Sequence, residues 1–233
     1  MLIEADAKQL EWLCAVYLSK DKVGYDEINA GADLHELNKA RLGLPSRLVA
    51  KTFLFRLIYG GSAYAYANDP EFTFVSSSDK YWQSLIDEFY SKYKGLKLWH
   101  DSLVREVVRT TKITMPTGRV YLFQRDSKGE WPRTTILNYP VQGLGADLMA
   151  IARVSLFKRI KKQAVLCKFI STVHDSIIID SPDSNVERIV EIIKDVWKDI
   201  PKNYQHLFGV PFDLPCKVEI KVGQDWGTTK ELH

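Results

Sequence analysis

Apolar and polar positions divide the chain into a sheet-forming set of segments and a helical set. Residues 1–5 read as a short buried strand that delivers Asp6, and Leu10, Leu13, Cys14, Tyr17 and Leu18 then recur at helical spacing over 7–18. Residues 26–45 read as shorter pieces of helix and loop, closed by Gly43-Leu44-Pro45. Ser46 is a fitting N-cap for a helix over 47–59 that Gly60-Gly61 stops. A loop is expected over 64–79, helices over 80–93 and 96–110, a hairpin over 112–124 around Pro116-Thr117-Gly118, and a second loop over 125–133. A long helix with a basic end is expected over 140–163. Two apolar strands over 167–181 meet at His174-Asp175, an amphipathic helix covers 184–199, and a last strand covers 215–222. Strand and helix first, helices next, and a strand hairpin with its helices last predict an α+β chain: a sheet with a helical insertion between its strands.

Composition narrows the classes without choosing one. At 233 residues and 45% hydrophobic content the chain can build a real core. A net charge of +3 permits a nucleic-acid partner but does not imply one. Cys14, Cys167 and Cys216 are far apart and odd in number, which suggests reduced thiols rather than a disulfide framework or a structural zinc. Reduced thiols lead to the expectation of a cytoplasmic location. The N-terminus turns acidic too early for a secretory signal, and no apolar run is long enough to span a membrane.

Three constellations carry candidate chemistry. Taken singly, Asp175 reads as a turn aspartate and Asp6 as the cap of the helix after it. Taken together, two strand-end carboxylates can meet on adjacent strands and hold divalent cations, because magnesium takes oxygen ligands and uses only one or two protein carboxylates when substrate phosphates supply the rest. Arg47, Lys51, Phe55 and Tyr59 recur every fourth residue and share one stripe of their helix. Two cations followed by two aromatics match the order of phosphates, sugar and base in a nucleoside triphosphate. The same stripe is open to a plainer reading, an amphipathic helix with snorkelling cations.

The motifs together resemble family A DNA polymerases, those similar to bacterial DNA polymerase I. Asp6-Ala7-Lys8-Gln9-Leu10-Glu11 resembles motif A, Arg47-x3-Lys51-x3-Phe55-x3-Tyr59-Gly60 motif B, and Val173-His174-Asp175 motif C. Asp33-Leu34-His35 matches the D-x-H of the fingers. Asn138-x-Pro140-Val141-Gln142-Gly143, Ala146-Asp147-Leu148-Met149 and Gly223-x-x-Trp226 follow in family order. The resemblance implies a polymerase palm with an antiparallel sheet over 1–20 and 111–233, helical fingers over 21–110, and no thumb.

It also implies roles. Asp6 and Asp175 would ligate two Mg2+ ions, with Mn2+ a possible substitute. Arg47, Lys51 and His35 would bind the triphosphate, and Lys51 would protonate the leaving pyrophosphate. Phe55 would pack on the deoxyribose, and Gln9 would belong to the nucleotide site. Glu11 would exclude a 2′-hydroxyl. Tyr59 would sit by the templating base, and Asn138, Gln142 and His174 would contact primer–template DNA. Three departures stand out: Lys8 in place of the usual Ser, Ser176 in place of the Glu of motif C, and Thr134 where a basic residue is expected, with Arg133 one position earlier.

Because the motifs begin almost at residue 1, the resemblance implies an upstream thumb and exonuclease portion, on a separate chain or a missing segment. Fingers that look shortened between His35 and Arg47 suggest a compact replicon such as a phage, whose product would act in the bacterial cytosol. Two rival functions remain: a catalytically silent polymerase-fold DNA-binding module, and a single-subunit RNA polymerase, which the H-D-S of motif C would suit. Glu11 and Phe55 oppose the RNA polymerase. In competition assays deoxynucleotides are expected to be incorporated far faster than ribonucleotides; comparable rates would favour the RNA polymerase.

Overall fold

The computed structural model describes residues 1–232; His233, to which no role attaches, lies outside the described residues. The chain divides into two compact units, Met1–Leu10 with Gly143–His233, and Glu11–Gln142.

The first unit is built on a five-stranded antiparallel sheet of order β4-β5-β1-β6-β7. Its strands are β1 (Leu2–Ala7), β4 (Lys168–Val173), β5 (Ser176–Asp180), β6 (Val218–Gly223) and β7 (Lys230–Glu231). Along β1 burial alternates: Ile3, Ala5 and Ala7 are buried, while Leu2, Glu4 and Asp6 lie on the half-open face. This is the period of two that a strand imposes. β1 pairs on both sides, with Asp6 opposite Ser176 on β5 and opposite Glu219 on β6. Ile177, Ile178 and Ile179 of β5 are all buried, as a strand inside a sheet requires. β1 extends further than the expected 1–5 and includes Asp6, so Asp6 caps nothing. The first helix opens only at Leu10.

The sheet is covered by helix α9 (Val186–Phe208), whose buried Ile189, Ile193, Val196, Ile200 and Tyr204 keep to one face. The sequence reading ended this helix at 199, before Pro201. The proline is instead accommodated inside it, and Gly209 (φ +69°) terminates it, its amide donating to the Gln205 carbonyl. Helix α8 (Arg133–Lys162) likewise starts seven residues before the expected Pro140. Pro132 precedes the first turn, whose Ile136 amide donates to the Pro132 carbonyl at 3.0 Å. A proline suits a helix start. β7 was not anticipated, and at two residues it has no period to read.

The second unit is helical: α1 (Leu10–Ser19), whose first residue is counted in the first unit, then α2 (Lys22–Ala30), α3 (Leu34–Leu42), α4 (Arg47–Ile58), α5 (Ala63–Ala67), α6 (Asp79–Lys92) and α7 (Lys94–Thr110), followed by the hairpin β2 (Lys112–Thr114)–β3 (Val120–Leu122). α5 corrects the loop expected over 64–79. Ser62 caps it by accepting from the Ala65 amide, and Tyr66 and Phe72 are buried against Trp82 at centroid distances of 5.3 Å each. Tyr66 and Phe72 thus pack internally, whereas Tyr64 and Phe74 face solvent.

Asp21 is the unit's principal polar tie. It is buried, and its two carboxylate oxygens accept from the Gly24 amide at 3.0 Å and the Leu96 amide at 3.1 Å, so one side chain caps the starts of α2 and α7. Gly95 permits this approach, because a Cβ there would lie 2.8 Å from the Asp21 Cα. Removing the carboxylate deletes one cap and strands a second buried amide. Asp21→Ala is therefore expected to destabilise this unit by roughly 2–4 kcal/mol. Asp21→Asn, which keeps one acceptor, should lose less; urea unfolding of the three proteins measures both.

Candidate active site

In the sheet unit the two aspartates converge as their strands dictate. Asp6 lies on β1. Asp175 lies in the two-residue turn His174-Asp175 that joins β4 to β5. His174 holds a left-handed φ of +52°, costly for a residue with a Cβ, and Gln9, just beyond β1, does the same at +53°. The Ala7 amide donates to the Asp175 carbonyl at 3.0 Å, locking the turn to the end of β1.

Around Asp6 stand groups of both signs. The Ser176 hydroxyl donates to Asp6 Oδ2 at 2.6 Å and lies 3.3 Å from Glu4 Oε1. On the other side Glu219 is engaged by Lys221 at 3.0 Å and Lys8 at 3.7 Å, and Lys8 also reaches Glu231 at 3.2 Å. Burial raises the Asp6 pKa above the usual carboxylate value; the Ser176 hydrogen bond opposes this, and the Asp175 charge adds to it. A carboxylate held uncomfortably by burial and a like charge is one that a divalent cation relieves. Among the described residues no group of three or more His, Cys, Asp or Glu side chains could hold a metal ion by itself. Two carboxylates therefore fit magnesium that takes its remaining ligands from substrate phosphates and water. Sequence reasoning treated Ser176 only as a missing acid. Its position opposite Asp6, visible once the strand register is known, makes it a donor to that carboxylate.

In the helical unit, Ser46 caps α4 as expected, accepting from the Val49 amide at 3.1 Å. Arg47 and Lys51 are exposed, and Phe55 and Tyr59 are half-buried. Lys51 lies 5.7 Å from the Phe55 ring centroid, and no ion pair of Lys51 is found among the described residues. Arg47 is committed: its Nε and Nη2 donate to Asp33 Oδ2 at 3.0 and 2.9 Å, while Asp33 Oδ1 caps α3 by accepting from the His35 and Glu36 amides at 2.8 and 3.1 Å. Burial pulls Asp33 upward, but the Glu36 amide, the Arg47 guanidinium and the His35 amide outweigh it, and its pKa is lowered. The Asp-x-His segment thus organises Arg47, a link that the sequence did not disclose.

His35 is buried 5.7 Å from the Phe55 ring, with Nδ1 lacking a partner. Burial and then the nearby Arg47 charge depress its pKa to about 4. Gln142 is exposed and donates to the Tyr59 hydroxyl at 2.5 Å, tying the start of α8 to the end of α4, and Asn138 is half-buried one turn earlier on α8. Glu11 is half-buried at the start of α1. Arg133 lies 3.9 Å from Asp101. The basic cluster Lys158, Lys161 and Lys162 is exposed at the end of α8, while Arg159 pairs with Asp199. His100 is buried and hydrogen-bonded to Tyr90 at 3.0 Å. His206 is exposed.

An antiparallel sheet presenting two carboxylates, and a helical unit presenting a cation–aromatic stripe, define a mixed α+β polymerase-type domain. The chain belongs to DNA polymerase family A, whose model matches residues 1–228. It is 25% identical to the thermostable DNA polymerase I of Thermus aquaticus over 99% of its own length and 27% of that protein, and 26% identical to DNA polymerase I of Aquifex aeolicus over 95% and 38%. In fold it resembles the POL domain of Pol1 from M. smegmatis, solved in complex with DNA primer-template and dNTP, with a TM-score of 0.82 at 20% identity over 98% of this chain and 40% of that one. No helix among the described residues is long and apolar enough to cross a membrane.

His35 and His100 generate a pH prediction. Burial depresses both, to about 4 and about 3, from an ordinary value of 6.5. The unfolded chain therefore binds more protons between those limits. The stability these neutral rings confer is complete above pH 6.5 and is lost as pH falls toward 4. Urea unfolding is expected to show a steep loss below pH 6.5 that His35→Gln makes shallower, and an NMR titration should find His35 uncharged at pH 6.

Proposed function

We propose that the chain is the nucleotide-adding portion of a DNA-directed DNA polymerase. A primer 3′-hydroxyl would attack the α-phosphate of a deoxynucleoside triphosphate and displace pyrophosphate. Residues 1–20 and 111–233 would be the palm and residues 21–110 the fingers. The observation that carries this reading is the pair Asp6 and Asp175, brought together on one sheet of a chain that belongs to family A.

Asp6 and Asp175 would hold the divalent ions, Mg2+ with Mn2+ as a substitute. Two such ions, when bound, supply Lewis-acid stabilisation of charge on the phosphate oxygens. The protein's own work is positioning and charge neutralisation. Lys51, which has no ion pair among the described residues, would contact the triphosphate directly and give its proton to the leaving pyrophosphate. Arg47 would share its guanidinium between Asp33 and a phosphate, and its planar fork suits both. His35, uncharged, would act as a hydrogen-bond donor rather than a fixed cation. Phe55 would pack on the sugar, Glu11 would crowd out a 2′-hydroxyl, and Gln9 would border the nucleotide. The Tyr59–Gln142 pair would meet the templating base and the duplex, with Asn138 and His174 beside the primer–template.

A thumb and exonuclease portion, from a separate chain or a contiguous upstream segment, belongs to the same reading. This chain spans only 27% and 38% of the lengths of the two polymerases above. Grip on a duplex depends on many phosphate contacts, so the larger assembly should bind DNA more tightly than this portion.

Primer extension with magnesium and four deoxynucleotides, on the chain alone and together with an upstream fragment, tests the proposal. Extension is expected to be abolished by Asp175→Ala and reduced about 100-fold or more by Lys51→Ala, in keeping with the loss of one transition-state cation. Absence of extension in both settings from folded protein would instead support the silent DNA-binding module.

A further inference from the structure

We infer that Ser176 is the positioning residue of Asp6, the hydroxyl that fixes how this carboxylate meets a divalent ion. The inference rests on the metal-binding reading given above. Ser176 opens β5 directly opposite Asp6 and is 6% exposed. Its hydroxyl carries one proton and has two carboxylates within reach, Asp6 Oδ2 at 2.6 Å and Glu4 Oε1 at 3.3 Å. The shorter contact has the length of a hydrogen bond to a charged acceptor, so the proton belongs to Asp6.

From the other flank the Lys221 charge acts on Asp6, with no hydrogen bond to its carboxylate among the described residues. Glu219 stands opposite Asp6 on β6, but Lys221 and Lys8 hold its carboxylate. Among the described residues the Ser176 bond is the one hydrogen bond to the Asp6 carboxylate. With Oδ2 held, Oδ1 remains for a cation, and the carboxylate does not have to be ordered when the ion arrives. A carboxylate at 176 could not do this. Ionised, it has no proton to donate, and it would add a negative charge beside Glu4 and Asp6. The serine supplies orientation where an acid would supply charge.

Mn2+ titration followed by the electron paramagnetic resonance of the free ion tests the inference without requiring turnover. The proteins are the wild type, Ser176→Ala, Ser176→Thr and Asp6→Ala. Ser176→Ala is expected to weaken Mn2+ binding roughly tenfold, the scale of one hydrogen bond to a charged group. Ser176→Thr, which keeps the hydroxyl, should stay within about twofold of wild type. Should Ser176→Ala fold poorly by its melting curve in chelator, Ser176→Val against Ser176→Thr makes the same comparison at constant shape. Wild-type affinity in Ser176→Ala, with affinity lost in Asp6→Ala, overturns the role of Ser176 and leaves the metal reading standing. Equal affinity in all four proteins overturns both.

Discussion

The antiparallel pairing of β1 on both of its edges is the constraint from which the sheet unit follows. A six-residue strand this rich in buried positions cannot leave its backbone groups unpaired. β5 and β6 take up both sides, and their registers decide which side chains flank Asp6. Sliding either neighbour by one residue would turn its side chains to the opposite face. Ser176 and Glu219 would then leave the face that carries Asp6. The chemistry of the site is thus a consequence of register: one aspartate within a central strand, the other in a turn bonded to that strand's end, and a hydroxyl and an acid on either hand.

The helical unit solves a different problem by similar means. Its cations must be presented to solvent, yet α4 must be rigid enough to aim them. The buried face of α4, with Phe53, Leu54, Leu57 and Ile58, packs into an aromatic cluster that includes Trp82, Tyr66 and Phe72. The opposite stripe is left for Arg47, Lys51, Phe55 and Tyr59. Asp33 then joins α3 to α4 by spending one oxygen on a cap and the other on Arg47. On the proposed reading an incoming phosphate would compete at Arg47 with the acceptor its guanidinium already holds. Among the described residues Lys51 has no such ion pair.

The sequence disclosed those parts of the molecule whose signals are local and periodic. The α4 stripe, its serine cap and the apolar strands meeting at His174-Asp175 repeat at the spacings of their elements and were read correctly. The misreadings have local causes too. The expected bounds, 140 for the start of α8 and 199 for the end of α9, both fall beside a proline, which lacks the amide a helix interior needs; in the structure Pro140 and Pro201 lie inside their helices. α5 is five residues long, too short to show a period, and only its capping serine announced it. Relations across the chain were not legible. Nothing near residue 33 says that Arg47 will be its partner, and nothing near residue 176 says that Asp6 will face it 170 residues away.

This last separation explains how motif C can differ from its family's pattern without dissolving the site. Side chains placed by strand register depend on the backbone pairing, not on one another. A glutamate can therefore be absent at position 176 while Asp6 and Asp175 keep their places, provided the replacement is small enough for a buried position and can satisfy the carboxylate it faces. Serine meets both conditions. The charge that the acid would have contributed is missing from the β5 side, and the remaining acid opposite Asp6, Glu219, is neutralised by two lysines, one of them the unusual Lys8. The two departures in motifs A and C therefore act in the same direction. Both lower the negative charge around Asp6, so that on the proposed metal-binding reading cation affinity would depend more heavily on the orientation of the two aspartates themselves.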